Sequence, residues 1–270
     1  VPELRIFAKM ANLSPPRHAA ASAPSGLATS PATLSIHEFR TRCSRCSMRE
    51  LCLPVGLEQD AITQLDALVT SRVKLKKGDT LYRAGDPFGA LYAIRLGSVK
   101  TTMLAEDGRE QVAGYHMLGD VIGMDGIGTE HHGCEAIALE DTECCVLPFS
   151  QIGELAQNLP SLQRNLYQFL SREISRDHAI MLMLGSMRAE ERLAAFLLNL
   201  SHRYRARGYS STEFNLRMTR EEIGSYLGLK LETVSRLFSR FQQEGLIQVQ
   251  GRSIKLLDIP TLTQLLGERA

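Results

Sequence analysis

A chain of 270 residues, 44% hydrophobic and 23% charged, has the composition of a soluble globular protein and is long enough for one large domain or two ordinary ones. No apolar run approaches the roughly 18 residues that span a bilayer. The N-terminal stretch lacks the compact apolar segment of a secretory signal, so the expected setting is the reducing cytoplasm, without a disulfide framework. Charge divides unevenly, with 7 basic and 3 acidic groups over residues 1–52, 11 and 18 over 53–187, and 13 and 9 over 188–270, so a polyanionic partner would be met by the C-terminal part.

Residues 1–35 hold five of the ten prolines among many Ala and Ser, with no sustained periodicity, which predicts a disordered tail. Val1 suggests a non-AUG start or a misplaced one, with Met10 as another candidate. The stretch "CSRCSMRELC" at 43–52 then sets three of the six cysteines at x2 and x5 spacing among arginines. Such spacing serves three corners of an iron–sulfur cube, each iron of which takes a thiolate; a fourth would come from Cys134, Cys144 or Cys145. Zinc also takes Cys-x2-Cys, although x5 to the third ligand is unusual for a knuckle, and a regulatory disulfide is a third use. Purely structural burial fits poorly, because Cys43 and Cys46 lie in a polar, basic segment. Arg42, Arg45 and Arg49 are expected to favour thiolates and to offset the charge of a cluster.

From residue 74 to 149 the texture changes to short β-like runs punctuated by glycines, as in "ALYAIRLGSVKTTML" and "EQVAGYHMLGD", which predicts an antiparallel jelly-roll barrel. On a strand, Cys144 and Cys145 would point to opposite faces. A long helix follows from Pro160 to about Met187. Tyr167, Leu170, Ile174, Asp177, Met181 and Leu184 alternate 3 and 4 spacings along it, a coiled-coil seam suited to a homodimer. Leu166, Phe169, Ile180 and Met183 form a second stripe able to cover the barrel. Asp177, odd in a monomer core, has a use in a tunable interface.

The C-terminal part opens with the helical "RAEERLAAFLLNLSHRYRARG" and continues "MTREEIGSYLGLKLETVSRLFSRFQQEGLIQVQGRSIKL". Thr219 reads as an N-cap with Glu222 completing a capping box. Gly224 leaves room for a crossing helix, and Gly228 permits the tight turn. A second helix from about Leu231 turns Val234, Leu237, Phe238 and Phe241 inward, and "GLIQVQGRSIKLL" reads as a two-stranded wing: a winged helix-turn-helix. Glu232, Ser235 and Arg236 share the outer face near the N-terminus of that second helix. There a carboxylate can accept from cytosine N4 and a guanidinium can fork onto guanine. The expected fold class is α+β, divided into tail (1–35), cysteine arm and barrel sensor domain (36–159), dimerisation helix (160–187) and DNA-binding domain (188–270).

Barrel, long helix and winged helix-turn-helix in that order resemble the CRP/FNR superfamily of bacterial transcription regulators, over nearly everything from Cys43 to about Leu266. "AEERLAAFLLNLSHRYRARGYS", "MTREEIGSYLGL" and "LETVSR" are most similar to its FNR-type, oxygen-responsive branch. The resemblance implies a 4Fe–4S cluster, one per subunit, on Cys43, Cys46, Cys52 and a distant cysteine two residues ahead of an apolar-Pro-Phe ending. Cys145 in "CVLPF" matches that position. It further implies a homodimer formed without oxygen, conversion of the cluster to a 2Fe–2S form in air, and inverted-repeat DNA with TTGAT-type half-sites read by Glu232, Ser235 and Arg236. Contacts with RNA polymerase are implied too, with the loops at 106–109 and 209–214 as candidate surfaces.

Other effectors of the superfamily fare less well. A cyclic-nucleotide phosphate would need a cation in the barrel, yet neither Arg nor Lys occurs between Arg109 and Arg164, so no cyclic nucleotide is expected. A haem would need His116, His131 or His132, isolated histidines of the kind that are usually solvated or structural. Cupin-like metal catalysis would place His-x-His inside the barrel, whereas His131 and His132 are adjacent and would diverge, and no G-x-S-x-G or P-loop occurs. An enzyme is not expected.

Overall fold

The computed structural model describes residues 43–69, 71–104, 108 and 110–267; the predicted tail lies outside them. Strands β1 (Arg72–Leu75), β2 (Thr80–Tyr82), β3 (Ala90–Leu96), β4 (Ser98–Leu104), β5 (Glu110–Met117), β6 (Val121–Ile122), β7 (Glu135–Ala138) and β8 (Thr142–Pro148) make two antiparallel sheets. Their orders are β1-β8-β3-β6 and β2-β7-β4-β5. Alternation along each strand sends one set of side chains between the sheets, where Tyr82, Ile94, Val99, Ile122, Ala136 and Cys144 pack. The opposite face of β3 and β8 carries a second core. There Leu91, Cys145 and Leu147 meet Leu53 of the arm, Leu65 of α1 (Gln59–Leu68) and Ile152 of α2 (Phe149–Asn158).

The long helix α3 (Pro160–Ser186) starts on a proline whose fixed φ suits a first turn. Its buried stripe divides: Leu166 and Phe169 close the second core, while Ile180 and Met183 pack on the core of the C-terminal part. The seam lies on the other side. Tyr167, Ile174 and Met181 are 62%, 55% and 62% exposed, Asp177 is exposed and Leu170 is half-buried. Leu184 departs from the expected open seam. It packs against the C-terminal core, and a Cβ added to Gly228 would lie 3.1 Å from its Cδ2. The reason is a shared cap: Arg192 donates to the carbonyls of Leu184 (2.7 Å), Met187 (2.9 Å) and Leu227 (3.0 Å), drawing two helix ends together.

The C-terminal part consists of α4 (Ala189–Ala206), β9 (Glu213–Asn215), α5 (Arg220–Leu227), α6 (Leu231–Gln243), β10 (Ile247–Gln250), β11 (Ser253–Leu256) and α7 (Ile259–Gln264). Thr219 Oγ1 accepts from Glu222 N at 3.2 Å and Glu222 Oε2 accepts from Thr219 N at 2.7 Å, the expected reciprocal box. A Cβ at Gly224 would sit 2.6 Å from the Leu229 carbonyl, so only glycine lets the turn leading into α6 fold back there; Gly228 (φ +62°) ends α5 in the left-handed conformation. The wing sheet has three strands rather than two, in the order β10-β11-β9. The extra strand, "EFN", is too short to show alternation, but Phe214 pairs with Ile254 and is buried.

The C-terminal part is docked on the barrel. Asp120 takes Arg203 on one oxygen (2.5 Å) and Arg207 on the other (2.7 Å). Arg203 also donates to the Tyr115 carbonyl (2.7 Å) and Arg207 to that of Leu118 (2.7 Å). Further along, Lys100 of β4 meets Glu222 at 3.1 Å and Val112 N donates to Ser225 Oγ at 2.8 Å. Glu222 therefore serves its own helix with one oxygen and the barrel with the other.

Candidate functional site

The arm 43–57 is a run of turns, each held by short-range backbone bonds such as Cys46 N to Cys43 O (3.1 Å), Cys52 N to Met48 O (3.0 Å) and Val55 N to Cys52 O (3.0 Å). Two side chains pin it to the body. Asp66 of α1 accepts from Ser44 N (3.2 Å) and Ser44 Oγ (2.6 Å), and buried Asn165 of α3 donates to the carbonyls of Leu53 (2.9 Å) and Val55 (2.8 Å). The arm thereby faces β8, and Cys43, Cys46, Cys52 and Cys145 line one pocket. The rest of its wall is largely apolar, with Leu53, Leu65, Ala93 and Leu147, and its charged members are Arg49 and Arg95.

Burial, then Asp66 and the neighbouring thiols of Cys145 and Cys46, push the Cys43 thiol up to about 12. Burial drives Cys52 above the ordinary thiol range as well, with Cys43, Cys145 and Cys46 adding to the rise. Cys145 is raised by burial against the opposing charge of Arg72. Anything that binds here as a thiolate ligand must therefore displace protons. Of the three neighbouring arginines expected to favour thiolates, Arg49 alone among the described residues lines the pocket. Arg49 pairs with Glu50 at 3.0 Å, Arg45 is exposed and Arg42 lies outside the described residues. The cations that oppose the rise at Cys145 are Arg72 and Arg95, from β1 and β3.

Among the described residues no three His, Cys, Asp or Glu side chains converge closely enough to hold a single metal ion. A cube distributes its thiolates over four irons, so its ligands stand around a cavity rather than about one point. A cysteine-lined apolar pocket fits that donor set. Cys144 is fully buried between the sheets, its thiol pushed up to about 12 by burial and by Cys145. Cys134 donates to Asp125 Oδ2 at 3.4 Å, and the same oxygen accepts from Gly133 N at 2.8 Å, a loop brace remote from the arm. The three histidines do not form a set. His116 is buried against Thr101 (3.1 Å), its burial lowering it to about 3; His132 stacks on Tyr82 with ring centroids 3.7 Å apart; His131 is exposed.

At the other end, Val234, Leu237, Phe238 and Phe241 are buried, while Glu232, Ser235 and Arg236 are all exposed on α6. Among the described residues no ion pair joins Glu232 to Arg236; Arg236 Nε instead donates to the Glu232 carbonyl at 3.4 Å. The guanidinium of Arg220 lies 3.1 Å from the centroid of the Phe238 ring and braces α5 on α6, a contact that sequence reasoning missed. Of the two loops singled out for a polymerase, 209–214 presents an exposed Tyr209 but buries Phe214, and 105–107 and 109 lie outside the described residues.

A two-sheet barrel joined by a long helix to a winged helix-turn-helix defines the architecture of a one-chain transcription regulator. Residues 72–158 match the cyclic nucleotide-binding domain family and residues 191–265 the Crp-like helix-turn-helix domain family. The chain is 50% identical to "Transcriptional regulatory protein btr" of Bordetella pertussis, over 84% of this chain and 94% of that protein. It is 46% identical to "Transcriptional activator protein anr" of Pseudomonas aeruginosa (84% and 93% covered) and 43% identical to "Fumarate and nitrate reduction regulatory protein" of Escherichia coli K12 (83% and 90%). Among solved structures, FixK2 from Bradyrhizobium japonicum superposes with a TM-score of 0.69 at 31% identity, covering 74% of this chain and 98% of that one. The chain belongs to the CRP/FNR family of transcription regulators and is a regulator rather than an enzyme. No helix of the described residues is long and apolar enough to cross a membrane.

Proposed function

We propose that the chain is an oxygen-responsive transcription factor of the cytoplasm, with Cys43, Cys46, Cys52 and Cys145 as the ligands of a 4Fe–4S cluster. The observation that carries this reading is that an arm at 43–52 and a strand at 142–148 bring four cysteines to one apolar pocket. When bound, such a cluster supplies an oxygen-labile cross-link between arm and barrel. The chain's own residues do the rest. Asp66 and Asn165 hold the arm to α1 and α3. The seam Tyr167, Leu170, Ile174, Asp177 and Met181 pairs with its mate in a C2 homodimer, with Leu184 at its end turned toward the DNA-binding domain. The two α6 helices then lie one helical turn apart, so Glu232, Ser235 and Arg236 read an inverted repeat of TTGAT-type half-sites. Bound there, the dimer activates or represses genes of anaerobic metabolism through RNA polymerase, with the 106–109 and 209–214 loops as its contact surfaces.

A cyclic nucleotide is not part of the reading despite the type of the barrel. From 110 to 163 the chain has neither Arg nor Lys to meet a phosphate, and the space between the sheets is filled by Tyr82, Ile94, Val99 and Cys144. The deciding experiment is purification without air, followed by iron and sulfide analysis and an absorption spectrum. A straw-brown protein that bleaches in air is expected; a colourless, zinc-loaded one overturns the cluster.

A further inference from the structure

We infer that Asn165 is the positioning residue through which the state of the cysteine arm reaches the dimer seam, an inference that rests on the cluster reading above. Asn165 sits in the first half of α3, only 7% exposed, between Leu162 and Phe169 one turn to either side. Both neighbours belong to the core that holds Leu53 and Cys145. Its amide nitrogen donates to Leu53 O at 2.9 Å and Val55 O at 2.8 Å, the carbonyls one and three residues past Cys52.

The two N–H bonds of one planar amide have fixed directions, so both carbonyls must be in place together. A displaced arm breaks both bonds at once and strands a donor in an apolar core, which is costly. The opening turns of α3 can avoid that cost only by shifting or by admitting water. Either response moves the exposed Tyr167 and the half-buried Leu170, which lie two and five residues further along the same helix. Arm and seam are thus two readings of one packing arrangement, and their coupling is reciprocal: pairing of the seam also favours the docked arm.

The test compares the monomer–dimer constant, by sedimentation, without and with air in the wild type, Asn165→Leu and Asn165→Gln, alongside iron and sulfide content. Asn165→Leu, which keeps bulk and removes the donors, is expected to retain iron and sulfide while its air-to-anaerobic ratio falls by about tenfold or more toward unity. Asn165→Gln, which keeps the donors on a longer stem, should respond in between. An iron-loaded Asn165→Leu whose ratio equals that of the wild type sinks the relay and leaves the cluster reading intact. Loss of iron from both variants also overturns it, by making Asn165 part of the arm's fold. A wild type purified without air that holds no iron sinks the cluster reading and the relay with it.

Discussion

Cys144 and Cys145 are neighbours on β8 whose side chains enter different cores: Cys144 opposite Ile94 between the two sheets, Cys145 opposite Ala93 under the arm. Their substitutions should therefore part company. Cys145→Ser is expected to abolish cluster assembly and anaerobic DNA binding, while Cys144→Ser and Cys134→Ser retain both. Iron and sulfide after anaerobic reconstitution measure it, and the reverse pattern at 144 and 145 would put the proposed ligand set out of register by one.

Arg236 projects from α6 with no carboxylate partner among the described residues. Arg236→Ala should cost about 1–3 kcal/mol at one guanine position and relax discrimination there. Binding measured over a panel of altered half-sites and salt concentrations tests this. A uniform loss on every sequence with a shallower salt slope would instead mark Arg236 as a phosphate contact.

Asp177 lies on the open seam between Ile174 and Met181, where partial desolvation by its neighbours already raises its carboxyl against the opposing charge of Arg176 and His178. Pairing two copies about a C2 axis brings this carboxylate toward its mate, where both must shed water or one must take up a proton. Asp177→Ala should consequently dimerise and bind operator DNA in air. Sedimentation of the aerobic variant decides: a monomer at concentrations where the anaerobic wild type is dimeric would show that Asp177 is not the brake.

Asp120 joins barrel to α4 through Arg203 and Arg207. Burial works to raise its carboxyl, but the charges of Arg203, Arg207 and Arg176 outweigh that and hold it well below the ordinary 3.8. A depressed folded value means the stabilisation is fully present above the ordinary carboxylate range and is lost as pH falls through the folded value. Asp120→Asn should cost on the order of 3 kcal/mol at neutral pH. In strong acid the gap from the wild type should close. Urea unfolding at both pH values is the measurement; a gap that does not change with pH would assign the loss to packing rather than charge.

Much of this architecture is local enough to read from the chain. Period-two runs with glycine punctuation give the barrel, the Thr219–Glu222 pair marks where α5 begins, and the two stripes of α3 distinguish its buried from its open side. Strand alternation also separates Cys145 from Cys144, but which of the two faces the arm comes only from the resemblance at "CVLPF". What sequence leaves out is contact between distant segments. Asp120 lies 83 residues from Arg203 and Leu53 lies 112 from Asn165, and neither pair imposes a pattern on its neighbours. The arginines show the same limit: proximity along the chain put Arg49 beside the cysteines, where it also pairs with Glu50, while Arg72 and Arg95 arrive from other strands.

The three-way grip of Arg192 has a consequence for the operator itself. One guanidinium holds the end of α3 to the end of α5, so under the proposed function the angle between the seam and the helix-turn-helix is set by a rigid planar group rather than by a loose linker. In a dimer built on α3, the gap between half-sites is then gauged as strictly as their bases, and DNA with one base pair more or less in the spacer presents its second half-site rotated out of reach.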